Sequence, residues 1–110
     1  MTDKKIPTPK PLTNNQKKYL RGLGHQLTPL VYIGKEGLTD NVYDAIDTAL
    51  LSQELVKVKI INTSSIQKND ASQQVPERTG CSLVQLIGKT LLVYRKNPKR
   101  KKEEQIRLPS

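Results

Sequence analysis

In residues 54–61, ELVKVKII, apolar and cationic residues alternate: Val56, Val58 and Ile60 are interleaved with Lys57 and Lys59. A period of two belongs to an extended strand, so the stretch predicts a half-buried strand with lysines on its open face. Upstream, Val42, Ile46, Ala49 and Leu50 recur at helical spacing behind Thr39, which is suited to cap the helix. A first helix is predicted after Thr13, with Tyr19, Leu20 and Leu23 on one face and Lys17, Lys18 and Arg21 on others. Gly22 and Gly24 weaken its end, and Pro29 stops it.

Between these helices, residues 30–33 form a short apolar run closed by Gly34, the pattern of a buried strand. Residues 82–87 and 90–96 predict two further strands joined by a tight turn through Gly88 and Lys89, and Pro98 ends the sheet. The polar stretch 62–80 carries no clean stripe. It is assigned a weak helix over about 65–75, a kink or restart at Pro76 and a stop at Gly80. The order of elements predicts an α/β fold: one domain, with a mixed four-stranded sheet packed by about three helices.

The ends of the chain read differently. Residues 1–12, with three prolines and three lysines, predict a flexible basic arm. The domain proper is placed at 13–97, followed by a basic tail over 98–110. Within that tail Lys99, Arg100, Lys101 and Lys102, then Glu103 and Glu104, are assigned to solvent.

Composition narrows the function. The 110 residues include no Trp or Phe and four Tyr, so the core must be aliphatic. Nineteen Lys and Arg against ten Asp and Glu leave a net charge of +9, which favours polyanionic partners. The charge is also uneven. Residues 36–54 hold five acids and no base, whereas residues 88–110 hold eight bases and two acids. The helix after Thr39 should therefore turn acids to solvent while cations gather elsewhere. Cys81 is the lone cysteine, which excludes an internal disulfide. No apolar run is long enough to span a membrane, and a cytoplasmic, membrane-free protein is expected.

Several candidate chemistries fail on spacing. Ile87-Gly88-Lys89-Thr90 ends like a nucleotide-binding loop, but Leu83 stands where the first glycine is needed and a strand follows where a helix is required. Asp40, Asp44 and Asp47 share a helical face and read as surface acids, so no metal site is expected. His25 has no partner carboxylate or nucleophile at useful spacing, and Cys81 reads as a small buried residue. No cofactor and no enzymatic activity are expected. Tyr32 and Tyr94 are the only aromatics on predicted strands, too few for a stacking surface of the RRM kind.

The loop Gly34-Lys35-Glu36-Gly37 is more informative. A strand ends, two glycines permit close backbone approach, and a helix begins with free amides directed at the gap. Lys35 supplies a cation at the tip. Such parts suit a clamp on a sugar-phosphate backbone, like the GXXG loop of KH modules. Lys17, Lys18, Arg21, Lys57 and Lys59 are placed to surround it.

Three separated motifs, QKKYLRGLGHQLTPLVYIGKEGLT, ELVKVKI and TGCSLVQLIGKTLLVYR, together resemble the CRM (chloroplast RNA splicing and ribosome maturation) domain, and within it the stand-alone bacterial members. The likeness runs over about residues 13–109. It implies a fold similar to the C-terminal domain of bacterial translation initiation factor three. It also implies RNA binding through Gly34, Lys35, Glu36 and Gly37, with Lys17, Lys18, Arg21, Lys57, Lys59, Lys89 and Arg95 completing a basic surface. The implied partner is structured RNA, the large-subunit ribosomal RNA of pre-ribosomal particles, bound by a monomer. A general nucleic-acid binder, indifferent to RNA or DNA, is the alternative. The chain departs from the family pattern in its polar, Pro76-containing third helix and in Glu36, whose charge opposes phosphate. Gly37→Asp is expected to weaken RNA binding while leaving the fold intact.

Overall fold

The computed structural model describes residues 11–109. Helix α1 (Asn14–Gly24) is followed by β1 (Val31–Ile33), α2 (Asp40–Gln53), β2 (Leu55–Ile60), α3 (Lys68–Thr79), β3 (Ser82–Ile87) and β4 (Thr90–Tyr94). The strands form one mixed sheet in the order β1-β2-β4-β3, with β1 parallel to β2 and the other pairs antiparallel. The expected α/β domain with one four-stranded sheet and three helices is therefore present.

The starts of α1 and α2 follow from their caps. Thr13 accepts the Gln16 N–H while the Gln16 side chain accepts the Thr13 N–H, which closes a reciprocal capping box. Thr39 Oγ1 accepts the Val42 N–H at 3.2 Å. On α2, Tyr43, Ile46 and Leu50 are buried at i, i+3 and i+7, while Asp40, Asp44 and Asp47 face solvent as the charge pattern required.

Strand alternation sorts the core into two layers. Val31, Ile33, Val56, Val58, Ile60, Leu91 and Val93 project from one face of the sheet onto α2 and α3. Leu55, Leu92 and Tyr94 project from the other, where Leu20 of α1 covers them and Leu12, Ile106 and Leu108 pack at the margin. A wholly buried side chain such as Leu20 or Leu50 contributes about 1.5–3 kcal/mol. Helix α1 lies very close to the sheet: a Cβ on Gly24 would stand 2.7 Å from a methyl of Leu92, so any larger residue would push the Leu92 side chain aside.

Three local expectations are corrected. The third helix runs unbroken from Lys68 to Thr79 through Pro76, and it starts three residues later than assigned. Ala71 and Val75, both fully buried, press the helix onto the sheet and offset the missing Pro76 amide. Strand β4 ends at Tyr94: the next residue, Arg95, still donates its N–H to the Glu54 carbonyl opposite it, but Glu54 has φ +65° and no longer continues β2. Finally, part of the assigned tail is anchored. Arg100 pairs with Glu54 and Ile106 packs on the second core layer, although Lys99 and residues 101–104 are exposed. Residues 1–10 of the assigned arm lie outside the described residues. Leu12, placed in that arm, contributes to the core margin.

Candidate nucleic-acid interface

One edge of the sheet collects three loops. β1 ends there at Ile33 and β2 at Ile60, and the Gly88-Lys89 turn joins β3 to β4 at the same edge. The Ile61 N–H donates to the Ile33 carbonyl and the Ile60 N–H to the Lys89 carbonyl, which ties the edge together. The loop after β1 is a closed turn, with the Gly37 N–H donating to the Gly34 carbonyl at 3.0 Å. The Ser65 N–H, from the loop that follows β2, reaches the Lys35 carbonyl at 3.3 Å and braces the turn from behind. Lys35 and Glu36 are both exposed, and neither is in an ion pair among the described residues.

The two glycines of the turn are not equivalent. Gly37 is buried, has φ +78°, and a Cβ there would stand 3.1 Å from Ser65 Oγ. The fold itself demands glycine at that point. Gly34 has no positive φ, and a Cβ added there would meet nothing within 4 Å. Nothing inside the protein explains its bare backbone. Gly37→Asp would thus strain the turn, contrary to expectation, and Gly34 is the position that separates folding from binding.

Register fixes the neighbours of this turn. Across the sheet the row nearest the edge reads Tyr32, Lys59, Thr90, Ile87, and the next row inward contains Lys57, Leu92 and Gln85. These side chains share the face that α1 covers. Lys59 and Lys89 are exposed and Lys57 is half-buried. On α1, Lys18 and Arg21 face solvent and Lys17 is half-buried beside the packed stripe. The opposite layer carries α2, whose Asp40, Asp44 and Asp47 are exposed, beside α3 with both acids and bases.

The start of α2 offers less to an anion than its position promised. One amide is taken by Thr39, and Asp40 occupies the first turn, paired with Arg78 at 3.0 Å. The cations of the edge, with the half-buried Gly34 backbone whose Cβ side faces open space, are the groups available to phosphate.

The model of the CRS1/YhbY (CRM) domain matches residues 12–95. The chain belongs to that family. A Bacillus subtilis protein named probable RNA-binding protein YqeI is 38% identical to the chain over 98 residues, covering 89% of the chain and 99% of the relative. A Haemophilus influenzae protein named RNA-binding protein is 37% identical, covering 89% and 95%. The solution structure of a hypothetical protein from Staphylococcus aureus superposes with a TM-score of 0.73 at 37% identity, covering 89% of the chain and 99% of that protein.

Within this CRM domain, Arg95 stands apart from the residues assigned with it. It follows Tyr94, at the end of β4 away from Lys89. Its guanidinium donates to the Asp47 carboxylate at 2.6 Å and to the Thr79 carbonyl at 2.8 Å. The arginine is spent on joining α2, α3 and β4. It is removed from the candidate surface.

Sequence reasoning missed Glu54 as a structural residue, having counted it among surface acids. Its side chain is wholly buried at φ +65°, and it accepts from Asn97 N–H, Ile106 N–H and Arg100. No local periodicity marks such a residue.

The remaining candidate chemistry is quiet. Among the described residues no group of three His, Cys, Asp or Glu side chains is arranged to hold a metal ion. His25 is exposed just beyond α1. Cys81 is buried, and burial pushes its thiol pKa up, which disfavours the reactive thiolate. A cavity of about 860 Å³ lies between the start of α1, Tyr94 and Leu108. Of the charged residues lining it, Asp47 is paired with Arg95 and Arg78 with Asp40, while Lys96 is exposed and in no ion pair among the described residues. No helix of the described residues is long and apolar enough to cross a membrane.

Proposed function

We propose that this CRM domain is a non-enzymatic RNA-binding protein that holds the RNA backbone against the sheet edge formed by Gly34, Lys35, Lys59 and Lys89. Lys57 and the α1 residues Lys17, Lys18 and Arg21 extend the surface, and the partner is ribosomal RNA in precursors of the large subunit. The observation that carries the proposal is Gly34. Half-buried, it faces open space where a Cβ would stand, without any internal packing reason, at the end of the sheet that also carries the three exposed lysines Lys35, Lys59 and Lys89. Close approach of a phosphate backbone requires that combination. The likeness to relatives named RNA-binding proteins supports RNA as the partner, and the resemblance to ribosome-maturation members supports the ribosomal target. Glu36 weakens the grip by placing a carboxylate in the turn.

The test is crosslinking in cells followed by sequencing of the bound RNA, with a gradient profile of the protein. Reads clustered in large-subunit ribosomal RNA, with the protein riding on immature particles, are expected. Reads scattered over many transcripts, with the protein free at the top of the gradient, would leave a general RNA binder and remove the ribosome. Duplex DNA bound as tightly as structured RNA at equal salt would favour the general nucleic-acid alternative.

A further inference from the structure

Helix α1 covers only part of its face of the sheet. Leu20 and Gly24 lie over Leu55, Leu92 and Tyr94, the rows away from the loop edge. The edge row is left open, and at its outer end stands Tyr32 on β1. Tyr32 and Tyr94 share a face by strand parity, yet Tyr94 is 5% exposed and Tyr32 is 54% exposed. One further large apolar side chain is exposed two residues from the ring, and another closes the same row on the far edge strand of the sheet. Leu30, just before β1, is 55% exposed, and Ile87, on the opposite edge strand β3, is 53% exposed. Lys59 is the direct Cα partner of Tyr32 in the parallel ladder. Among the described residues the cation–ring contact is Arg78 over Tyr43, so the Tyr32 ring is not used by a protein cation.

We propose that Tyr32 is a stacking site for one unpaired RNA base, whose own phosphate is held at Gly34 and Lys35. The inference rests on the RNA-binding function above and specifies its ligand as a nucleotide outside a duplex. Two residues of strand separate Tyr32 from Gly34, about 6.6 Å along the chain. That is the scale separating a base from its backbone phosphate. The chemistry around the ring agrees: the Tyr32 ring stands next to Lys59, with the exposed Leu30 just before β1 and further cations at Lys57, Lys35 and Lys89. A base needs a flat apolar face, and its backbone needs positive charge. An apolar protein partner would leave Lys59 buried without a counter-charge. A base paired in a helix has both faces stacked already, so only an extruded or single-stranded base gains here. A surface that recognises RNA by backbone and charge alone, as the sequence implied, has no use for an exposed ring at this place.

The experiment compares two RNA hairpins of equal length and charge, one fully paired and one with a single bulged 2-aminopurine. Affinities are measured at fixed salt for the parent, Tyr32→Phe and Tyr32→Ala, with melting temperatures to confirm folding. The parent is expected to prefer the bulged hairpin, and its binding should quench the 2-aminopurine signal. Tyr32→Ala should weaken binding of the bulged RNA by about tenfold or more, leave the paired RNA within about twofold, and lose the quenching. Tyr32→Phe should behave as the parent. Equal weakening of both RNAs, or no change in either, would overturn the stacking site while leaving RNA binding in place. Failure of the parent to bind either hairpin would overturn both.

Discussion

Glu54 and Arg100 form an ion pair of 2.8 Å in which the carboxylate is wholly buried and the guanidinium is only 18% exposed. With the N–H groups of Asn97 and Ile106 on the same carboxylate, the pair fastens the chain after β4 to the α2–β2 junction. This clip brings Ile106 and Leu108 onto the second core layer, beside Leu20 of α1. The position of α1, and so the extent of open sheet beside it, depends partly on that layer.

Replacing Glu54 with Ala should therefore destabilise the fold well beyond a surface substitution. Two part-buried N–H donors and a guanidinium lose their acceptor, at a cost of about 3 kcal/mol. Urea denaturation would measure it, and hydrogen exchange should show early opening of residues 97–108.

The two glycines of the turn should separate cleanly. Gly34→Ala is expected to keep stability within about 0.5 kcal/mol of the parent, since its Cβ has open space, while RNA affinity falls. Gly37→Ala should cost about 1–2 kcal/mol, because its left-handed backbone and the nearby Ser65 both resist a side chain. Thermal melts beside a binding titration give both quantities.

Cations that touch phosphate leave a trace in salt dependence. Lys59→Ala and Lys89→Ala should each reduce the slope of log affinity against log salt by about 0.7–0.9. Arg95→Ala should leave the slope unchanged and lower stability instead, because its guanidinium joins Asp47 and the Thr79 carbonyl.

Alkaline pH should weaken the fold. Burial is the main cause that raises the pKa of Cys81 above 9.0 and of Tyr94 above 10.0; for Tyr94 the nearby Glu54 carboxylate adds to it. Both groups stay neutral in the folded state and ionise more readily when unfolded. Stability is full below pH 9 and falls as pH rises past those ordinary values. Denaturation midpoints from pH 7 to 11 would follow it. Iodoacetamide should modify Cys81 only after unfolding.

Much of the architecture was legible because its signals are local. The alternation of Val56, Lys57, Val58 and Lys59 placed the lysines on one face of β2, and Thr13 and Thr39 marked the starts of α1 and α2. Tertiary context decided the rest. Pro76 breaks an isolated helix, but Ala71 and Val75 hold this one against the sheet. Arg95 reads like any other cation until Asp47 is seen beside it, and Glu54 like any other acid. The motif Gly34-Lys35-Glu36-Gly37 does not reveal which glycine is bound to the fold and which is free for a ligand. Tyr32 and Tyr94 look alike in the sequence, and only the placement of α1 distinguishes them.

The central claim is that RNA lies on the sheet edge at Gly34, Lys35, Lys59 and Lys89. The most direct measurement is a ¹H–¹⁵N titration of the protein with a structured fragment of large-subunit ribosomal RNA. Amide shifts concentrated at residues 32–37, 57–59 and 87–90, with smaller ones on α1, are predicted. Shifts centred on the acidic helix α2 and on α3, or no shifts at saturating RNA, would contradict it.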